Sequence, residues 1–179
     1  MANSNNPSGF LPYNNPNGGG GQARVTYLPL LSTNAAIGIG DPVKIGAVGV
    51  DRAAASDALC GIAAEAKAAN TGSTSGLVKI AVWADPDQHF VAQTDDGTGD
   101  TTDAGGLRKN VNFVAGTPSN GKSIAEIDEN SGTTTATLPF KILARSDEAG
   151  NAFGEFNRLV VKINNHQLGS HTGTAGVDS

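Results

Sequence analysis

Leu77–Thr94 reads LVKIAVWADPDQHFVAQT and holds the chain's only tryptophan, Trp83, in its densest apolar run. In the first half, Val78, Ile80 and Val82 alternate with Lys79, Ala81 and Trp83. A period of two sends successive side chains to opposite faces, the pattern of a strand. Gln88–Thr94 reads as a second strand, separated from the first by Asp85-Pro86-Asp87. Proline fixes φ and donates no backbone hydrogen bond, and aspartate on either side favours a turn. The stretch predicts two strands joined by a β-hairpin or a sharp corner, with Trp83 packed beside it. Everything else reads as further short strands added to this pair.

The whole chain is 179 residues, enough for one domain with a core of its own. Its 24 glycines and scarce aromatics predict a chain rich in turns and short strands and poor in long helices. The expected fold is mainly β: a single compact β-barrel or β-sandwich, jelly-roll-like, with an extended N-terminal arm. These architectures share one short-strand signature. The divisions are an arm over residues 1–24, a β domain over 25–168 and a loose C-terminal tail over 169–179.

Within the β domain, Val25–Leu31 reads as a strand that Pro29 confines to an edge. Gly38–Val50 reads as a Gly-Asp-Pro turn followed by a glycine-interrupted strand. Arg52–Asn70 is rich in alanine, which favours a helix. Yet Cys60 to Ala69 alternates so that Glu65 and Lys67 share one face, and a strand over Leu59–Ala68 is the reading preferred. Further strands are expected at Asn110–Ala115, Ile124–Ile127, Thr133–Ala144 and Phe156–Asn164.

The net charge of −5, from 12 basic and 17 acidic residues, argues against nucleic acid as a partner. No stretch approaches the ~20 apolar residues needed to span a membrane. The first residues show neither a basic nor an apolar signal segment, so synthesis and folding in a reducing cytoplasm are expected. Cys60 is the single cysteine, which leaves no intramolecular disulfide and no cysteine metal cluster. In its apolar setting it reads as a small core residue and not as a nucleophile.

One segment matches a catalytic motif literally. Gly116-Thr-Pro-Ser-Asn-Gly121-Lys122-Ser123 satisfies G-x-x-x-x-G-K-[ST]. A phosphate-binding loop needs a helix behind it to aim backbone N–H groups at the phosphates. Only about two turns' worth of residues follow before Ser131-Gly132, marginal for that role. The segment is expected to be a glycine-rich β-turn. Asp85 to Asp103 carries six acids without an intervening lysine or arginine. Clustered carboxylates suit Ca²⁺, but the spacing fits no EF-hand, so the stretch Asp95–Gly106 is read as a solvated loop. His89, His166 and His171 lack zinc-ligand spacing, and no serine sits in a G-x-S-x-G elbow. No catalytic, cofactor or metal residue is assigned.

The arm has a feature of its own. Met1–Gln22 carries no charged side chain and is dominated by Asn, Pro and Gly, a composition that cannot bury enough surface to order itself. Within it, Phe10, Leu11, Pro12 and Tyr13 form an apolar cluster. These four are the expected partner-binding residues, docking on a neighbouring subunit, with Gly18–Gly21 as the hinge. Closed assemblies are usually symmetric, which points to a dimer or trimer of sister subunits.

Several segments taken in order resemble a known family. They are Asn6-Pro7-Ser8-Gly9-Phe10-Leu11-Pro12, Gly40-Asp41-Pro42-Val43, Val82 through Phe90 with Gln93, Ser119 through Ser123 leading to Ile127-Asp128, and Val161 through Gln167. In this order and spacing they resemble the virion proteins of tailed bacteriophages, small structural proteins of the capsid decoration or cement type. The resemblance implies a mainly β fold, no enzymatic activity and a place on the outer surface of an icosahedral head. The partner would be the major capsid protein, whose lattice the chain would stabilise. Two other classes remain beside it: a carbohydrate-binding or fibre-type β-sandwich module and, more remotely, a P-loop nucleotide-binding protein.

Overall fold

The structure is a computed structural model that describes residues 3–16, 23–70, 78–95, 106–169 and 173–176. The expected hinge Gly18–Gly21, most of the acidic stretch after Asp95, and His171 lie outside the described residues. Among those described there are eleven strands and no helix. They are β1 (Leu11–Asn14), β2 (Val25–Pro29), β3 (Pro42–Ile45), β4 (Val50–Arg52), β5 (Gly61–Ala63), β6 (Lys79–Trp83), β7 (His89–Gln93), β8 (Asn110–Val114), β9 (Glu126–Thr133), β10 (Phe140–Arg145) and β11 (Arg158–Ile163).

The strands form two antiparallel sheets, one in the order β1-β7-β11-β10-β8-β9 and one in the order β2-β6-β5-β3-β4. Alternation on single strands builds the space between them. Phe90 and Ala92 of β7, Leu159, Val161 and Ile163 of β11, Phe140 and Ile142 of β10, and Val111 and Phe113 of β8 all face one way. Ile62 of β5 meets them from the other sheet, and Trp83 of β6 packs against the same cluster. A second cluster, with Val43, Val50, Ile80 and Val82, fills the opposite face of the five-stranded sheet under Leu30 and Ile37.

Each sheet curls toward itself. Thr94 bridges Ile127 beyond the end of β7, and Leu30 bridges Val50 beyond the end of β2. These are single bridges and not continuous ladders, so the architecture is a β-sandwich and the β-barrel alternative is corrected. The Asp-Pro-Asp stretch is a corner and not a hairpin, because β6 and β7 belong to different sheets. Its turn is closed by the Asp85 carbonyl, which accepts the Gln88 N–H, and by the Asp85 carboxylate, which accepts the Asp87 N–H.

Several strand boundaries differ from expectation, and the glycine-interrupted strand expected within Gly38–Val50 is two strands, β3 and β4. Of Leu59–Ala68 only Gly61–Ala63 joins a ladder, while Leu59 and Lys67 make isolated bridges. β9 runs on through Ser131-Gly132, where the Ser131 hydroxyl accepts the Asn112 N–H across a bulge. The expected strand Thr133–Ala144 begins only at Phe140. Before it, the carbonyls of Ala136 and Leu138 accept hydrogen bonds from the Asn164 amide instead of a strand partner.

The arm is the largest correction. Residues 3–16 are part of the β domain. Phe10 is fully buried, stacked on Phe140 at 4.3 Å between ring centres and edge-on to Phe113 at 6.3 Å. β1 then adds to the edge of β7. Of the tail, residues 173–176 lie against the domain: Thr174 N–H donates to Asn164 Oδ1 and Gly176 N–H to the Thr134 carbonyl.

Candidate functional site

The literal phosphate-loop motif folds as a tight turn. Ser119 and Lys122 exchange both backbone hydrogen bonds, at 2.9 Å each, around Asn120-Gly121. The central φ values are 51° and 74°, both positive as a type I′ turn requires. Behind the turn comes not a helix but Ile124-Ala125 and then β9. Ser123, the residue that would hold Mg²⁺, is buried, and its hydroxyl accepts the Ala125 N–H and bonds the Asp41 carboxylate. Lys122 is exposed. Asp41 is itself buried, which pushes its pKa up, while bonds from Gly38 and Ser123 and the charge of Arg52 act the other way. Of the motif's two chemical side chains, Ser123 thus serves a junction between loops, and Lys122 points to solvent from a turn.

The other reactive side chains are dispersed. Cys60 is buried and its thiol is pushed up to about 12, as a core residue's would be. His89 stands at the start of β7, directly across from Lys162 of β11. Burial first, and Lys162 second, hold its pKa below the usual histidine value. His166 is buried elsewhere, beyond β11. Glu126 accepts a bond from the Gln93 amide at 2.8 Å, and burial and the nearby Asp95 raise its pKa. Among the described residues no three of His, Cys, Asp and Glu converge on a point where a metal ion could sit.

The expected partner-binding cluster divides. Phe10 lies inside the chain's own core and offers no surface to a neighbour, so its assignment is corrected. Leu11 and Pro12 are half-buried in β1. Only Tyr13, 44% exposed, faces outward. The segment before Phe10 is held by side-chain amides. Asn3 Nδ2 donates to the carbonyls of Ala152 and Glu155, and Asn3 Oδ1 accepts the Ala152 N–H. Gln93 Oε1 accepts the Asn6 N–H. These contacts line a polar hollow of about 370 Å³, but Asn3, Gln93 and Asn151 spend their groups on the protein itself.

The most exposed large apolar side chain among the described residues lies instead on β2. Its register with β6 pairs Val25 with Trp83 and Tyr27 with Ala81. Leu30 N–H donates to the Val78 carbonyl, so by alternation Thr26 and Leu28 bond to β6 while Val25, Tyr27 and Pro29 turn their backbone groups outward. Val25 and Tyr27 therefore share the face that carries Trp83. The six-stranded sheet covers Trp83 in part, but it does not reach β2, where Val25 is 44% and Tyr27 65% exposed. On the other face, Leu28, Ile45, Val48 and neighbouring backbone line an apolar hollow of about 300 Å³. Pro29 signals an edge strand in the sequence. Nothing in the sequence signals that the strand overhangs the sandwich.

Compared with known proteins, the chain matches no family model, no curated protein and no solved structure.

Proposed function

We propose that the chain is a non-enzymatic virion structural protein that binds the outer surface of a bacteriophage capsid and stabilises the lattice of the major capsid protein. The observation that carries this reading is the bare margin of β2. It offers an exposed aromatic, an exposed valine and outward-facing backbone groups on one strand edge. Such an edge accepts a strand or an apolar ridge from a partner. The ordered set of motifs that resembles those of decoration proteins supports the major capsid protein as that partner, with sister subunits in a dimer or trimer beside it. Many identical copies on one particle turn a modest contact into firm attachment. Tyr13 is the residue of the N-terminal cluster still open to a neighbour.

The test is co-sedimentation with undecorated heads. Wild-type protein pellets with the heads, and Tyr27→Glu, with an unchanged thermal melt, stays in the supernatant. Equal pelleting of the two would remove β2 from the contact surface, and no pelleting of the wild type would remove the capsid reading.

A second reading has one observation in its favour. Tyr27 and Trp83 are diagonal neighbours on one sheet face, close enough for a sugar ring to lie across both. A carbohydrate-binding module would bind glycans on an array through this pair, and loss of that signal in Tyr27→Ala would support it over capsid attachment.

A further inference from the structure

The corner after β6, the end of β11 and the C-terminal residues 173–176 enclose a cavity of about 70 Å³. His166 lines it and is only 6% exposed. Its Nδ1 accepts the Leu168 N–H at 3.1 Å. A neutral imidazole with its lone pair on Nδ1 carries its proton on Nε2. Burial holds the ring neutral by lowering its pKa, with Asp85 acting weakly in the other direction. The Nε2–H is then a donor, buried, with no acceptor among the described residues. Buried donors in folded proteins almost always have a partner.

The described residues in the walls of the cavity do not supply one. Asn164 Oδ1 accepts from both the N–H and the hydroxyl of Thr174. The Thr174 hydroxyl also accepts from the Lys141 ammonium. Asp87 is exposed at the mouth and has an interaction of its own. Lys162 differs: it lines the cavity, and its ammonium has neither hydrogen bond nor ion pair among the described residues. Its strand register sets it between His89 and Lys141, and its charge disfavours the protonated form of both. Basic side chains thus stand in a row beside the cavity, with Asp87 at its mouth and Asp85 nearby carrying the opposite charge.

We propose that this cavity binds a carboxylate, with one oxygen accepting the His166 Nε2–H and the other facing the Lys162 ammonium. The volume suits a group of that size and is far below the several hundred Å³ of a site for a whole cofactor or nucleotide. A metal ion is a poor occupant, because it would need the Nε2 lone pair, and freeing that would break the Leu168 bond. A charge-assisted pair on one side and a neutral donor on the other is an ordinary arrangement for a carboxylate. The inference does not rest on the capsid reading.

The test follows the imidazole ¹H–¹⁵N signals of the full-length protein, with His166 assigned by His166→Gln. Sodium acetate is titrated against sodium chloride of equal ionic strength. Acetate is expected to move the His166 Nε2 signal saturably where chloride does not. Lys162→Gln, which keeps the stem and removes the charge, should weaken this about tenfold or more with an unchanged melt. Lys122→Gln, in the exposed turn that does not line the cavity, should bind normally. If the carboxylate comes from a second copy of the chain, the same signal will move with protein concentration in the absence of acetate, again only with Lys162 intact. No saturable shift in either series, or a shift that survives Lys162→Gln, would overturn the proposal.

Discussion

β1 and β2 are successive strands at edges of the two sheets, yet their surfaces are opposite in character. β1 comes from an uncharged stretch of Asn, Pro and Gly that reads as a loose arm. It is fixed by one buried phenylalanine and by asparagine amides that bond to loop backbone. β2, VTYLP, is an edge strand rich in apolar side chains, and leaves Tyr27 more exposed than any other large apolar side chain described. The difference lies in what stands opposite. Phe10 enters a slot already walled by Phe113 and Phe140, whereas β2 lies beyond the reach of the other sheet. Local composition measures how much apolar surface a strand brings, and topology decides whether any of it is covered.

The hardest way to break this comparison is to empty the slot. Phe10→Ala removes a fully buried ring and should cost ~3–5 kcal/mol, read as a lowered denaturant midpoint at constant slope. Domains of this size hold only ~5–15 kcal/mol, so the variant should be close to unfolding at 37 °C. An unchanged midpoint would return the segment to the status of an arm. Deletion of Met1–Gly21 should be at least as damaging, and not the silent change expected of a separate appendage.

Trp83→Ala should be next. Trp83 is half-buried between the covered and uncovered parts of its face, so about 2 kcal/mol is expected in place of the full loss of a buried ring. A loss as large as that of Phe10→Ala would show that the six-stranded sheet covers more of this face than the structure indicates. Tyr27→Glu sharpens the contrast from the other side. An exposed edge residue should change stability by under ~0.5 kcal/mol, while head binding is lost. Smallest of all is Lys122→Ala. It should be within ~0.5 kcal/mol of wild type by thermal melt and should bind no less to heads. Saturable ATP or GTP binding by the wild type, abolished in this variant, would contradict the type I′ turn.

Much of the sandwich could be read beforehand. The central strands of the six-stranded sheet have one buried face, so β8, β10 and β11 declare themselves by alternation, as Val111/Phe113, Phe140/Ile142 and Leu159/Val161/Ile163 do. That Gly116–Ser123 holds a glycine-rich turn was legible, while its type I′ form at Asn120-Gly121 appears only in the structure. The partition of strands between sheets was not legible. Asp85-Pro86-Asp87 specifies a change of direction, and a hairpin and a corner need the same turn residues. The fate of Phe10 was hidden for a related reason, since its neighbours Phe113 and Phe140 lie more than a hundred residues away. The overhang of β2 and the orphan donor of His166 depend on contacts that no local window contains.

The staple of the first strand has a kinetic consequence. Asn3 bonds to Ala152 and Glu155, 149 and 152 residues downstream, and β1 pairs with β7 near the middle of the chain. On a ribosome the N-terminal segment emerges first, but Phe140 must follow before Phe10 has its stacking partner. At ~5–20 residues per second the segment waits on the order of ten seconds with its ring in water. Closing so long a loop is also slow in the intact chain, because the entropy of closure is lost before the contacts form. Insertion of the first strand therefore has to wait for residue 140, and a ribosome stall before that residue leaves Phe10 without its stacking partner.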